Sequence, residues 1–348
     1  MKKVHVAMAG FGKGGRIYNA PVISSVEGME IKKILTSSRE NISAAGKDFP
    51  DALVVNSFEE ILEDPEINLI VITTPNHLHK DYATKALQAG KHVVLEKPIT
   101  PLAAQAEELI RLAREKELIL SVHHNRRWDS DFLTIQKLLD DKKLGEVVEY
   151  EAHFDRFRPE IKESWKENPE NPGSGILYDL GSHLIDQALV LFGLPTHVFA
   201  DVRVQRKTAT VADSFELLLY YPNLKVTLKA GMLVKGKTPT FLIHGTKGSF
   251  IKYGQDPQEE KLKAGFKPAG AKDWGLEPKE SWGSIDTIDE MGFLISKQGD
   301  YSSFYSNIYK AITSGEELEV KPEEAKNVIR IIEAALRSQA EGRKVEFY

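Results

Sequence analysis

Lys97 stands where a lysine is costly. In "VVLEKPIT", residues 93–100, two valines and a leucine have the make-up of a buried parallel strand, and the chain then passes Glu96 and Lys97 straight into Pro98. An ammonium at the carboxyl end of a core strand needs a partner or a task. A lysine in a crevice can shift toward a neutral pKa, which suits proton relay, with Glu96 as its charge partner or as a cofactor contact. Further on, "GILYDLGSHLIDQAL" places Asp179 and His183 four apart. If a helix starts near Leu180 they lie on one face at its amino end; an aspartate N-cap beside a packed histidine reads from the same letters. No further ligands accompany them at useful spacing, so no metal is expected.

A second group of residues points to a dinucleotide. "AGFGKGG" supplies Gly10, Gly12 and Gly15 in the GxGxxG spacing, with Phe11 inside the turn. Glycines there permit a tight turn, close approach of backbone to a pyrophosphate, and packing of the next helix on the strand. The helix N-terminus then offers free N–H groups to phosphate. At the end of the second strand, where NAD-preferring sites carry a carboxylate for the ribose 2′-hydroxyl, this chain has Thr36, Ser37, Ser38 and Arg39. Hydroxyls and a guanidinium can hold a 2′-phosphate, so NADP is expected over NAD, although Ser38 also serves as an N-cap. "TTPNHLH" contributes Thr74, Pro75, Asn76 and His79 at another strand end, and His79 could equally sit on a helix surface.

These groups need elements to place them. Residues 1–123 alternate short strands with longer helices: "VHVAMAG", a helix near 15–26, "MEIKKILT", a helix from Arg39, "LIVITTP", a helix near 77–89, "KHVVLEKP", a helix over 101–116 and "LILSVHH". That pattern specifies a Rossmann-type α/β domain with a parallel sheet, and its ligands belong beyond the carboxyl ends of the strands. Thr100-Pro101 reads as an N-cap with proline at the first helical position. From residue 124 to 348 the style changes to "VVEYEAHFDRF", "VFADVRVQR", "DSFELLLYY", "LKVTLKAGMLV", "TFLIHG" and "GSFIKY", with compact turns at "PNL" and "GTKG". An α+β domain on an open, mainly antiparallel sheet is expected, with helices near 129–142, 181–193, 302–314 and 322–341. Residues 254–300 lack a period and read as a long loop or lid.

Composition narrows the classes. A chain of 348 residues with 41% hydrophobic content is large enough for two cores, and a net charge of −5 with scattered basic residues gives no nucleic-acid footprint. The absence of cysteine excludes disulfides, zinc–thiolate sites, iron–sulfur clusters and cysteine nucleophiles. The apolar start breaks at Gly10 and reads as a first strand rather than a signal peptide, and no window is long enough to cross a bilayer. A soluble, cytoplasmic protein is expected. An exposed face of the second domain's sheet, with Phe, Leu and Val at alternate positions, predicts a homo-oligomer of at least two chains.

In this order and spacing the glycine loop at 10–15, "TPNHLH" at 74–79, "EKP" at 96–98 and the D-x-x-x-H of Asp179 and His183 resemble the glucose–fructose oxidoreductase/inositol dehydrogenase/MocA (Gfo/Idh/MocA) family of NAD(P)-dependent oxidoreductases. The resemblance covers essentially the whole chain, and "HHNRRWDSDF" and "GILYDLGSHLIDQ" look like its NADP-dependent inositol dehydrogenase branch. It implies that Lys97 is the catalytic lysine, that the peptide before Pro98 is often cis, that His183 is the general base and that Asp179 orients the substrate. The implied reaction is hydride transfer between NADP(H) and a secondary alcohol of a cyclic polyol or sugar. Asn125, Arg127, Trp128, Arg156, Arg158 and Trp165 are candidates for the substrate wall, since flat aromatics and forked donors suit a polyhydroxylated ring. Other expectations open at this point are a reductase of another ketone, an NAD-dependent glycosidase, and a cofactor-binding sensor without turnover.

Overall fold

The computed structural model describes residues 2–161 and 164–347. The chain forms two compact units, one of Met1–Asn125, Gln258–Trp274 and Asp300–Lys326, the other of Arg126–Pro257, Gly275–Gly299 and Asn327–Tyr348. Two stretches that the sequence pattern assigns to the second domain, 258–274 and 300–326, thus pack with the first.

The first unit holds a parallel sheet of β1 (Val4–Ala9), β2 (Met29–Leu35), β3 (Leu53–Val55), β4 (Leu69–Ile72), β5 (His92–Leu95) and β6 (Leu120–Val122) in the order β3-β2-β1-β4-β5-β6. All four residues of β4 and all three of β6 are buried, as strands covered on both faces require. Between them run α1 (Ala20–Ile23), α2 (Arg39–Asp48), α3 (Glu59–Leu62), α4 (His79–Gln88) and α5 (Ala103–Glu115). The strand order reverses between β1 and β4, the place where doubly wound sheets open a ligand crevice. The helix expected from Pro101 starts two residues later. Leu102 is extended and Thr100 donates its hydroxyl forward to the Leu102 carbonyl (2.8 Å) instead of capping a helical N–H.

The second unit carries a nine-stranded sheet of β7 (Val147–His153), β8 (His197–Arg203), β9 (Ser214–Tyr220), β10 (Lys225–Gly231), β11 (Phe241–Gly245), β12 (Gly248–Lys252), β13 (Gly283–Thr287), β14 (Met291–Leu294) and β15 (Val345–Glu346). Its pairs are antiparallel except for β7 with β10. The alternation seen in sequence is the alternation of faces: Phe215, Leu217 and Leu219 are buried while Glu216 on the same strand is exposed. Helices α6 (Ser130–Asp140) and α7 (Ser182–Phe192) belong to this unit; α8 (Gln258–Lys263) and α9 (Ser302–Ser314) belong to the first, and α10 (Pro322–Glu341) is divided between the two. The expected loop at 254–300 therefore contains a helix and a hairpin. "GSIDT" and "MGFL" pair as β13 and β14, short strands whose alternation is hidden among glycines and charges.

Candidate active site

In the first unit, β1 ends at Ala9 and the chain turns through Gly10 at φ +100, a conformation open to glycine and costly for other residues. A Cβ on Gly15 would sit 2.7 Å from the Gly10 carbonyl oxygen and 2.8 Å from Thr73 Oγ1, so the close packing of helix on strand excludes a side chain there. Thr73, which the sequence pattern did not single out, locks the turn by donating Oγ1 to the Gly10 carbonyl (2.8 Å). A Cβ on Gly12, by contrast, would meet nothing within 4 Å. The chain then enters a π-helical turn, Gly14–Asn19. Phe11 points into the core, edge-on to Phe49. At the end of β2, Ser38 caps α2 by accepting from Asn41 N (3.3 Å), and Ser37 and Arg39 are exposed.

Thr74, Pro75 and Asn76 follow the end of β4, and Thr74 Oγ1 is buried without a hydrogen-bond partner among the described residues. Open space over Gly12 and an unsatisfied hydroxyl after the end of β4 both fit a dinucleotide. Gly10, Gly12, Gly15 and Thr74 are the residues that would hold it. His79 is not a helix-surface residue: it is fully buried, its ring nitrogens 2.9 Å from the Pro98 carbonyl and 3.0 Å from that of Thr74. Burial lowers its pKa and the two carbonyls raise it, and burial wins. The ring thus braces the loops after β4 and β5 against each other.

The peptide between Lys97 and Pro98 is cis. Beneath it the Glu96 carboxylate accepts from Asn19 Nδ2 (2.6 Å) and His123 Nδ1 (2.9 Å) through Oε1, and from the Lys97 amide (3.1 Å) through Oε2. Burial works to raise the Glu96 pKa, but the His123 hydrogen bond, the charges of His123 and Lys97 and the Asn19 amide overcome it and hold the carboxyl well below its usual range. Neither Asn19 nor His123 was singled out in the sequence: Asn19 stands in no motif, and His123 opens "HHNRRWDSDF" without a role of its own.

In the second unit, Asp179 lies in a second π-helical turn, Leu177–Gly181, which runs directly into α7 with His183 in its first turn. The helical segment thus begins before Leu180, and Asp179 is not its N-cap. Asp179 Oδ1 accepts from Lys166 Nζ (2.6 Å). His183 is buried, and its ring stacks on Phe154 with centroids 6.3 Å apart. The Arg126 and Arg156 guanidinium carbons lie 4.6 and 5.0 Å from the Phe154 ring centre. Arg127 is closed in a two-pronged pair with Asp186, Nε to Oδ2 at 2.9 Å and Nη2 to Oδ1 at 2.6 Å. Trp128 is buried, Trp165 half-buried beside Lys166, and Arg158 exposed. Asn125 closes the continuous part of the first unit. Among the described residues no group of three or more His, Asp or Glu could hold a metal ion, and no helix is long and apolar enough to cross a membrane.

A parallel sheet in this order, with a glycine turn after β1 and polar residues at the ends of β4 and β5, defines a dinucleotide-binding domain. Residues 4–124 match the family model described as "Oxidoreductase family, NAD-binding Rossmann fold", and residues 136–347 match "Oxidoreductase family, C-terminal alpha/beta domain". The chain belongs to the Gfo/Idh/MocA family of NAD(P)-binding oxidoreductases. It is 44% identical to the scyllo-inositol 2-dehydrogenase (NADP(+)) IolW of Bacillus subtilis over 98% of this chain and 95% of that protein. It is 40% identical to the oxidoreductase YdgJ of Escherichia coli over 96% of each. A solved structure of the oxidoreductase yvaA from Bacillus subtilis superposes with a TM-score of 0.94 at 42% identity, covering 100% of both chains.

Proposed function

We propose that this protein transfers a hydride between NADP(H) and a secondary alcohol or ketone carbon of a cyclic polyol or sugar, with an inositol and its inosose as the foremost substrates. The observation that carries this reading is the Lys97 loop, in which a strand-end lysine directly follows a carboxylate held by three hydrogen bonds next to the glycine turn. The relative named as an NADP-dependent scyllo-inositol 2-dehydrogenase supports both the substrate class and the cofactor. A nicotinamide cofactor, when bound, supplies or accepts the hydride. In the direction of oxidation, His183 takes the proton of the substrate hydroxyl as general base, and Lys97 donates a hydrogen bond to the same oxygen and steadies its developing charge. Asp179 orients the ring by accepting a neighbouring hydroxyl. In ketone reduction His183 returns the proton. Trp128, Arg156 and Trp165 are the second unit's proposed substrate contacts; Arg127 has its fork occupied by Asp186 and supports them.

The test is a panel of cyclic polyols and inososes with NADP+ and NAD+, or their reduced forms, followed at the absorbance of the reduced nicotinamide. Turnover with NADP(H) and a cyclic polyol or inosose is expected; absence of nicotinamide-coupled turnover with every member overturns the reading. For the cofactor, Thr36–Arg39 offers donors and no carboxylate, and Arg39 is exposed and free to meet a 2′-phosphate. Arg39→Ala should weaken NADPH binding by about 1.5–3 kcal/mol, the worth of one charge-assisted hydrogen bond, and leave NADH binding nearly unchanged. Tighter binding of NADH than NADPH by the parent protein in a titration removes the cofactor preference.

A further inference from the structure

Behind Glu96 the hydrogen bonds continue into the core of the first unit. Asn19, fully buried, donates one Nδ2 hydrogen to Glu96 and the other to the Gly14 carbonyl (3.0 Å), so a single amide ties the Lys97 loop to the glycine turn. Its Oδ1 accepts from the Tyr305 hydroxyl, delivered by α9 from 286 positions away in the chain. His123, 2% exposed, supplies a second side-chain donor to Glu96 and packs against Phe304 and Tyr305, with ring centroids 5.1 and 5.6 Å away.

A phenylalanine would fill the Tyr305 site with no hydroxyl to satisfy, so a hydroxyl kept there is expected to have a use. Its use is visible in the geometry. An asparagine amide can be seated either way round, and a donor on its oxygen with two acceptors on its nitrogen leaves one orientation. Burial, with the Glu96 charge adding to it, keeps the Tyr305 phenol protonated, so it has a hydrogen to donate to the Asn19 oxygen that faces it. The chain of contacts runs from Tyr305 to Asn19 to Glu96, and His123 closes it from the other side.

We propose that Tyr305, Asn19 and His123 are positioning residues that hold Glu96 oriented as the fixed partner of Lys97. They act through Glu96 and touch neither substrate nor reacting atoms. The proposal rests on the reading of Lys97 as a group that handles the substrate oxygen, and it gives roles to residues that the sequence pattern did not single out. A carboxylate and an ammonium stabilise each other's charged forms, so loosening Glu96 lets Lys97 lose its proton more easily.

The experiment measures Lys97 directly, without cofactor or substrate. Competitive labelling of amines with acetic anhydride across roughly pH 7 to 11, read by mass spectrometry of the Lys97 peptide, gives the titration of that one side chain. In Glu96→Gln and in Tyr305→Phe the Lys97 midpoint should move to lower pH, further in Glu96→Gln. Superimposable Lys97 titrations in the parent and both variants overturn the inference, and a shift in Glu96→Gln alone removes Tyr305 from it. A second arm uses turnover with the best substrate of the panel. Tyr305→Phe should lower kcat about tenfold, the kinetic equivalent of one hydrogen bond, with KM for the substrate nearly unchanged; loss confined to KM also overturns the inference. Lys97→Ala separates the two levels: if it keeps parental turnover, the function reading falls while the labelling result stands by itself.

Discussion

An ammonium at the carboxyl end of a buried strand needs counter-charge, and the Glu96 carboxylate just before Lys97 supplies negative charge that the two side chains feel at a distance. Glu96 receives three hydrogen bonds, from Asn19, His123 and the Lys97 amide, so its negative charge is stabilised where burial alone would neutralise it. His183 is placed by different means: it is buried at the start of α7 with its ring stacked on Phe154. If Lys97 and His183 serve one transferred proton, chemistry and cofactor binding separate under mutation. Lys97→Ala and His183→Ala should each lower kcat by about 10²–10⁴-fold, the usual cost of removing an acid–base group. Both variants should bind NADPH as the parent does, because neither touches the turn at Gly10–Gly15, the proposed pyrophosphate site. The double variant should lose far less than the product of the single losses, since parts of one relay are not additive. Steady-state kinetics with a nicotinamide binding titration checks all three, and near-parental turnover in His183→Ala would leave Asp179 and His183 as a π-turn and a packed ring.

Elements carry a different kind of constraint, and α6 shows it in a buried charge cluster of the second unit. Asp131 is 3% exposed, and near it lie Asp256, which accepts from Ser130 N (2.7 Å), and the Lys252–Glu277 pair at 3.0 Å. Three carboxylates share one ammonium. Burial is the main cause that pushes the Asp131 carboxyl up to about 7; Lys252 opposes it, and Asp256 and Glu277 add to it. The folded state therefore keeps a proton that the unfolded chain has released, and stability falls as pH rises from about 4 to about 7. Asp131→Asn removes that dependence. Urea unfolding should find the variant gaining on the parent through this window, by an amount on the order of a few kcal/mol at its upper end, and level above it; an advantage independent of pH would refute this. Clusters of this sort are invisible in sequence, because Asp131, the Lys252–Asp256 stretch and Glu277 lie far apart in the chain. The same holds for Tyr305 and Asn19. What was legible was local: the glycine spacing, the buried runs of β4 and β5, and the alternation of β9 and β10. Strands of two to four residues, β3, β14 and β15, are too short to set a period, and β13 lay in a stretch whose glycines and charges masked its alternation.

At the scale of the whole molecule, the register of the nine-stranded sheet makes a specific statement about association. Cross-strand partners on the face opposite the buried one run in a single row: Phe199, Leu218, Thr227, Glu151, Leu242, Ile251, Ser284 and Phe293. The next row ends at Met291, and Met291 and Phe293 on the edge strand β14 are 83% and 67% exposed. Such a face is apolar toward both ends of the row, and the charges between are paired across strands, Lys229 lying 3.5 Å from both Glu151 and Glu216. Paired charges can be covered without leaving an uncompensated ion, and an exposed apolar edge strand is a liability unless something covers it. A second copy meeting the same row about a twofold axis covers it on both chains at once, which is the isologous contact expected of a homo-oligomer. Sedimentation velocity of the parent protein at micromolar concentration should accordingly give at least a dimer. Leu218→Lys combined with Phe293→Lys puts unpaired charges near one end of the row and at the other, and this variant should sediment as a smaller species while keeping the parental circular dichroism spectrum. A monomeric parent would sink the prediction outright, and a dimer indifferent to both substitutions would move the contact to another face.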